Sequence, residues 1–379
     1  LDSYLTLLDT QGNFFYTDDD SGGNRNALLG PVVLPSTGTY TIIASSCCDS
    51  ASTSTTGAYE LVIEQTQIVV VAPNQPANFE LSNNNPVAFF TLLGNSVPSQ
   101  VARAVVNVTN PPTGTWNISM DVRGPIGNSF YSYYTPPASS RYVIDPIIAN
   151  VADGSYQIRV NMYSENGDTL VLAEGQTIQA NIVIEEIPVA PLALGSSVSG
   201  TLNDTTPTLY YTFSATMRDL LSLVGEQPAD SNPISVTVYD TVGFSITGGS
   251  TINYTDGSNS GRFVVDPLRT MNEGMYFIGV SRASFGSPEE VIGRTSNFTL
   301  SLNATQTPMI QVGVPITGIF NNPQQYEQVY RYQATANQTI RITLTSLNVG
   351  YAPAFDFVGE TFESPDTNIF NANSAAPGK

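Results

Sequence analysis

The chain has 379 residues, 13 basic against 32 acidic, no histidine, and a single lysine at Lys379. The net charge of −19 argues against nucleic acid as a partner, because phosphate binding needs a basic stripe. The missing histidine removes Ser-His-Asp and Cys-His catalysis, and the apolar residues fall in runs far shorter than the ~18 needed to span a bilayer.

Abundant Thr, Val, Ile and Tyr with scattered Gly and Pro predict an all-β protein of short strands joined by turns. Taken in order, residues 1–65 read as the C-terminal half of a β-sandwich domain. They run LDSYLTLLD, a turn at Gln11-Gly12, an Asp-rich loop, a strand through Gly38-x-Tyr40, and a closing strand GAYELVIEQ. Residues 66–187 read as a complete sandwich, from QIVVVAP and VAFFTLL through TWNISMDV and Tyr156 to IQANIVIEE. Residues 188–304 read as a second, from SSVSGTL and LYYTFSA through ISVTVYD and Tyr276 to NFTLSLN.

Residues 305–379 start the pattern again and leave a tail. PITGIF matches SVSGTL, VYRYQATANQTIRITL matches the stretch that opens LYYTFSA, and AFDFVGET matches ISVTVYDT. The unit used three times is an x-Pro step, a short apolar run, a Gly-x-Tyr and an alternating strand. The Gly-x-Tyr pairs at Gly38/Tyr40, Gly154/Tyr156 and Gly274/Tyr276 are 116 and 120 residues apart, the length of a small domain. Within strands, Trp116, Ile118, Met120 and Val122 share one face, as do Ile234, Val236 and Val238. Half-buried strands of this kind predict tandem antiparallel β-sandwich domains, jelly-roll or immunoglobulin-like.

The order of G-x-L, Y-x-F-x-A, D-x-x-L-x-L-x-D-x-x-G, an acidic loop, L-P-x-x-G-x-Y and G-x-Y-x-L resembles the bacterial pre-peptidase C-terminal domain. It is carried best over residues 1–63 by Leu1, Leu5, Leu7, Asp9, Gly12, Asp18 to Asp20, Leu34-Pro35, Gly38, Tyr40, Gly57, Tyr59 and Leu61. Residues 197–302 and 315–344 follow it less fully, and residues 66–187 depart most, lacking the acidic loop. The resemblance implies a jelly-roll-like sandwich of secreted or surface proteins, often a non-catalytic module beside a peptidase.

Candidate chemistry is sparse. Asp18, Asp19 and Asp20 concentrate carboxylates on a loop, as Ca²⁺ requires, the alternative being a solvated hairpin loop; no other cofactor is expected. Asp145 and Asp266 precede prolines, where a turn role outweighs acid–base work. Phe130, Tyr131, Tyr133 and Tyr134 form an aromatic patch suited to a subunit contact, to stacking on polysaccharide, or to covering a sheet edge. Cys47 and Cys48 are adjacent, and could close a vicinal disulfide, bond another chain or stay free. No enzyme is expected.

The complementary half-domains predict a structural subunit of an extracellular filament or cell-surface appendage. Copies would join head to tail by completing each other's sandwich. AFDFVGETF repeats the part played by LDSYLTLLD, which favours a plainer variant, a window on a longer tandem array. The alternative class is a binding or adhesion module of a secreted peptidase or adhesin, holding polysaccharide or protein.

Overall fold

The computed structural model describes residues 2–19, 25–30, 32, 34, 36–46, 57–64, 69–83, 85–111, 117–124, 129–131, 140–149, 154–163, 172–228, 230–251, 259–283, 292–319, 328–335, 338–345, 354–358 and 368–373. The chain divides into two units, residues 1–190 with 241–244, and residues 191–240 with 245–379. Strands dominate both, almost all in antiparallel pairs, and the fold class is all-β with stacked sheets, as the alternation requires.

In the first unit, β1 (Ser3–Leu8), β2 (Phe14–Asp18) and β3 (Thr41–Ser46) form a three-stranded sheet in the order β2-β1-β3. The β1–β2 turn is held by the Asp9 carboxylate, which accepts from the backbone amides of Gln11 (2.9 Å) and Asn13 (2.8 Å). Gly12 takes the positive φ of 85° that the turn demands. Hydrogen bonding, first from the Asn13 amide, holds the Asp9 carboxyl below its ordinary value. The Tyr40 hydroxyl closes a corner on residue 36, donating to the Ser36 carbonyl (3.0 Å) and accepting from its amide (3.3 Å).

The first sandwich follows. Its strands are β4 (Val70–Val71), β5 (Ala77–Leu81), β6 (Val87–Leu93), β7 (Val101–Asn110), β8 (Asn117–Arg123), β9 (Ser129–Tyr131), β10 (Arg141–Ile148), β11 (Ser155–Tyr163) and β12 (Ile178–Glu186). One sheet is ordered β10-β7-β12-β5 and the other β4-β6-β11-β8-β9. The shared core takes Ile118, Met120 and Val122 from β8 and Val106 and Ile182 from the facing sheet, with Tyr156 fully buried among them.

The second sandwich is built from β13 (Val189–Pro191), β14 (Ser196–Leu202), β15 (Thr208–Ala215), β16 (Leu220–Glu226), β17 (Ile234–Tyr239), β18 (Ser245–Ser250), β19 (Arg262–Arg269), β20 (Gly274–Arg282) and β21 (Ser296–Ala304). Its sheets run β14-β21-β16-β19 and β13-β15-β20-β17-β18, strand for strand the order of the first sandwich. Ile234, Val236 and Val238 face the core with Phe298, Leu300 and Leu302. Tyr276 repeats the tyrosine corner, donating to Asn272 O (2.9 Å) and accepting from the amides of Met271 and Asn272 (3.0 Å each). Glycines admit neighbouring rings: a Cβ on Gly200 would lie 2.5 Å from the Phe298 ring, and one on Gly225 would overlap Phe263.

Beyond it, β22 (Met309–Ile310) pairs in parallel with β23 (Arg331–Tyr332), and β24 (Ala354–Val358) pairs antiparallel with β25 (Asn368–Asn373). Three expected strands are not formed. Residues 57–64, 315–319 and 338–345 carry apolar alternation but no ladder. Alternation specifies which side chains would face a core; a strand also needs a neighbouring backbone to bond.

Leu300→Ala should destabilise the second sandwich by about 2–5 kcal/mol, read by urea unfolding, because the fully buried side chain leaves a cavity. In the first sandwich, burial pushes the Tyr142 phenol up to about 12. A phenol raised in the folded state stabilises the fold below its unfolded pKa of about 10 and less above it. Unfolding free energy should therefore fall as pH rises from about 10 to about 12, and Tyr142→Phe should flatten that fall.

Candidate functional site

Two features stand out beside the pair of sandwiches: short strand sets whose described residues carry exposed apolar side chains, and an ionic cluster beneath the N-terminal sheet.

The strand sets can be placed by local markers. The turn at Asp9-Thr10-Gln11-Gly12 corresponds to Asp240-Thr241-Val242-Gly243, where Gly243 also has positive φ, so β1 and β2 correspond to β17 and β18. The Tyr40 and Tyr276 corners equate β3 with β20. The order β2-β1-β3 is accordingly that of β18-β17-β20. In the complete sandwich, β20 is flanked on its other side by β15 and then β13. Among the described residues β3 has a ladder with β1 alone.

The counterparts of β13 and β15 are β22 and β23. The turn after β23 repeats the one after β15: Thr335 N donates to Gln338 Oε1 (3.1 Å) as Thr216 N donates to Asp219 Oδ2 (2.7 Å). The parallel pairing of β22 with β23 is that of β4 with β6 in the first sandwich. Residues 2–64 and 309–345 thus carry complementary members of one strand order.

Their side chains are exposed where the complete domain buries them. Tyr59 and Ile63 are 68% and 76% exposed, while Phe298 and Leu302 at the matching places in β21 are 2% and 1%. Ile316, Ile340, Ile342 and Leu344 are likewise exposed. Burying each would stabilise an assembly by roughly 1.5–3 kcal/mol before the costs of association.

The ionic cluster lies where Tyr16, Asp18 and Leu28 meet Phe89, Asp121, Arg123 and Arg159 of the β6-β11-β8 layer. Arg159 on β11 stands directly opposite Asp121 on β8. Its Nε reaches Asp121 Oδ2 at 2.6 Å and its Nη1 reaches Asp18 Oδ1 at 3.1 Å. Arg123 Nε is 3.5 Å from Asp121 Oδ1, with its guanidinium 5.2 Å from the centre of the Tyr16 ring. The Asp18 side chain is 5% exposed, and its Oδ2 accepts from the Leu28 amide at 2.8 Å. Burial pushes the Tyr16 phenol up, opposed by the nearby Arg123 charge. A small cavity of about 30 Å³ lies between Tyr16, Asp18 and Leu28 on one side and Phe89, Asp121 and Arg159 on the other.

Of the residues singled out in the sequence, Asp18 is occupied by Arg159 and Leu28, and Asp19 follows it at the end of β2. Among the described residues no group of three or more His, Cys, Asp or Glu side chains is placed to hold a metal ion. Asp20, Cys47, Cys48, Trp116, Tyr133 and Tyr134 lie outside the described residues, as do the side chains of Phe130 and Tyr131, whose backbone forms edge strand β9. Asp266 accepts from Thr305 Oγ1 at 2.6 Å, a structural contact. Sequence reasoning missed Arg159, Asp121 and Arg123; the available signal was charge of both signs on the outward faces of paired strands.

No family model and no curated protein matches the chain. Solved structures match it at low identity and low TM-score. The pre-peptidase C-terminal domain of a Bacillus anthracis collagenase is 14% identical with a TM-score of 0.22, over 31% of this chain and 97% of that one. Aeromonas hydrophila PliG, a periplasmic inhibitor of g-type lysozyme, is 16% identical with a TM-score of 0.20, over 30% of this chain and 95% of that one. A223, a turret protein in Sulfolobus turreted icosahedral virus, is 12% identical with a TM-score of 0.15, over 60% of this chain and 95% of that one. Likeness at this level carries no argument about function.

Arg159→Ala should cost about 3 kcal/mol in urea unfolding of the first unit, since it strips a buried carboxylate of its cation. In a double-mutant cycle with Asp18→Asn, the two changes should fall short of additivity by about 1 kcal/mol or more.

Proposed function

We propose that the protein is a structural subunit of an extracellular filament or cell-surface appendage. Copies associate head to tail, residues 309–345 of one and residues 2–64 of the next completing a shared sandwich. The observation that carries this reading is the complementarity of strand order. Placed together, β22-β23 and β3-β1-β2 reproduce the order β13-β15-β20-β17-β18. Obligate interfaces of this kind bury on the order of 2,000 Å² or more, and a heterologous contact repeats into a fibre unless its rotation closes.

β24 and β25 also correspond to β17 and β18, so the shared sheet has two candidates for the same position. β1 and β2 already hold it beside β3, which leaves the β24-β25 hairpin surplus to the joint.

A second reading, a neutral-glycan binding module, is favoured by a shallow groove of about 410 Å³ on the second sandwich. It is lined by hydroxyl and amide groups of Ser199, Thr201, Asn297 and Thr299. A glycan array without hits would remove it.

Negative-stain microscopy and intact mass of the isolated material test the filament reading. Fibres in which the two strand sets lie on separate chains are expected. A monomer that persists at all concentrations, or a polypeptide far heavier in which the two strand sets are covalently continuous, would overturn it.

A further inference from the structure

We infer the register of that joint: residues 57–64 of one copy become an inner strand between residues 315–319 and 340–345 of the next, with Tyr59 seated on Gly318. This rests on the head-to-tail reading and adds to it which backbone meets which.

The template is β21, which is laddered by β14 on one side and β16 on the other. Phe298 stands opposite Gly200, Thr299 opposite Ser199, and Leu300 opposite both Val198 and Gly225. The match of NFTLSLN to AYELVIE puts Tyr59 at Phe298, Glu60 at Thr299, Leu61 at Leu300 and Ile63 at Leu302. The match of SVSGTL to PITGIF puts Ile316 at Val198, Thr317 at Ser199 and Gly318 at Gly200. The turn at Thr335–Gln338 places Ile342 at Leu223 and Leu344 at Gly225.

Three observations converge on this pairing. The aromatic ring and the glycine recur together: Gly200 has room for Phe298 only because it lacks a Cβ, and the C-terminal segment carries Gly318 at that place, where the flexible Gln328 side chain and the Tyr330 hydroxyl (2.9 Å from an added Cβ) now lie and would give way to Tyr59. Inward positions come out apolar on all three segments, with Tyr59, Leu61 and Ile63 meeting Ile316, Ile342 and Leu344. At the outward positions, Glu60 lies between Thr317 and Thr345, as Thr299 lies between Ser199 and Glu226, while Val62 and Ile319 take the outward places of Ser301 and Thr201. A shift by one residue would reverse every face.

The register can be tested with paired cysteines, because the Ser199 and Thr299 hydroxyls lie 3.1 Å apart and mark a pair close enough to bridge. Glu60→Cys and Thr317→Cys would be placed on separate chains, each also carrying Cys47→Ser and Cys48→Ser, then refolded together and oxidised. The expected product is a disulfide-linked pair of chains joining position 60 of one to position 317 of the other, with at least tenfold less product when Ile316→Cys replaces Thr317→Cys. Filaments that form with cross-linking absent or displaced by one residue would overturn the register and leave head-to-tail assembly standing. Absence of both filaments and cross-links would overturn the two together. A double variant that closes only within its own chain would show that the occupant is not a second copy.

A size exchange needs no cysteine. Gly318→Val should raise the concentration required for assembly at least tenfold, and Tyr59→Ala in the same chain should restore most of it. An unchanged threshold for Gly318→Val would overturn the seating of Tyr59.

Discussion

Every strand here has two sides to satisfy at once: an apolar face that must meet a second sheet, and a row of backbone donors and acceptors that must meet a neighbour. The two complete sandwiches satisfy both within one stretch of chain, and their strand orders coincide. Residues 2–64 and 309–345 satisfy only part of each demand. The exposure of Tyr59, Ile63 and Ile342 is the visible remainder.

The legible part of the fold was whatever period-two alternation and turn chemistry encode locally. Ile118, Met120 and Val122 were assigned to one buried face from their spacing, and so were Ile234, Val236 and Val238; all six are buried. Residues 57–64 show the limit of the same signal. Their pattern matches that of β21, yet they carry no strand in the structure, because pattern records a face and pairing is a property of two segments.

The ionic cluster was illegible for a related reason. Asp121 and Arg159 sit on outward positions of strands whose inward positions are apolar, and outwardness alone does not say whether water or another layer covers a side chain. Asp18 looked like one carboxylate of an acidic loop; in the fold it is the last residue of β2, nearly buried and bridged to Arg159. With only 13 cations in the chain, the placing of Arg103 on Glu185, Arg159 on Asp121 and Arg282 on Asp204 shows how far the few arginines are committed to fixing neighbouring strands and loops.

The inner position of β21, between β14 and β16, bears on reversibility. An edge strand can be peeled from one neighbour, bond by bond. A segment seated as β21 is seated must part from both neighbours and leave the core in the same event, so its release has a high barrier even where its equilibrium is modest. Subunits joined through such a position would exchange slowly, and a finished polymer would show hysteresis, persisting under dilution that would have prevented its growth.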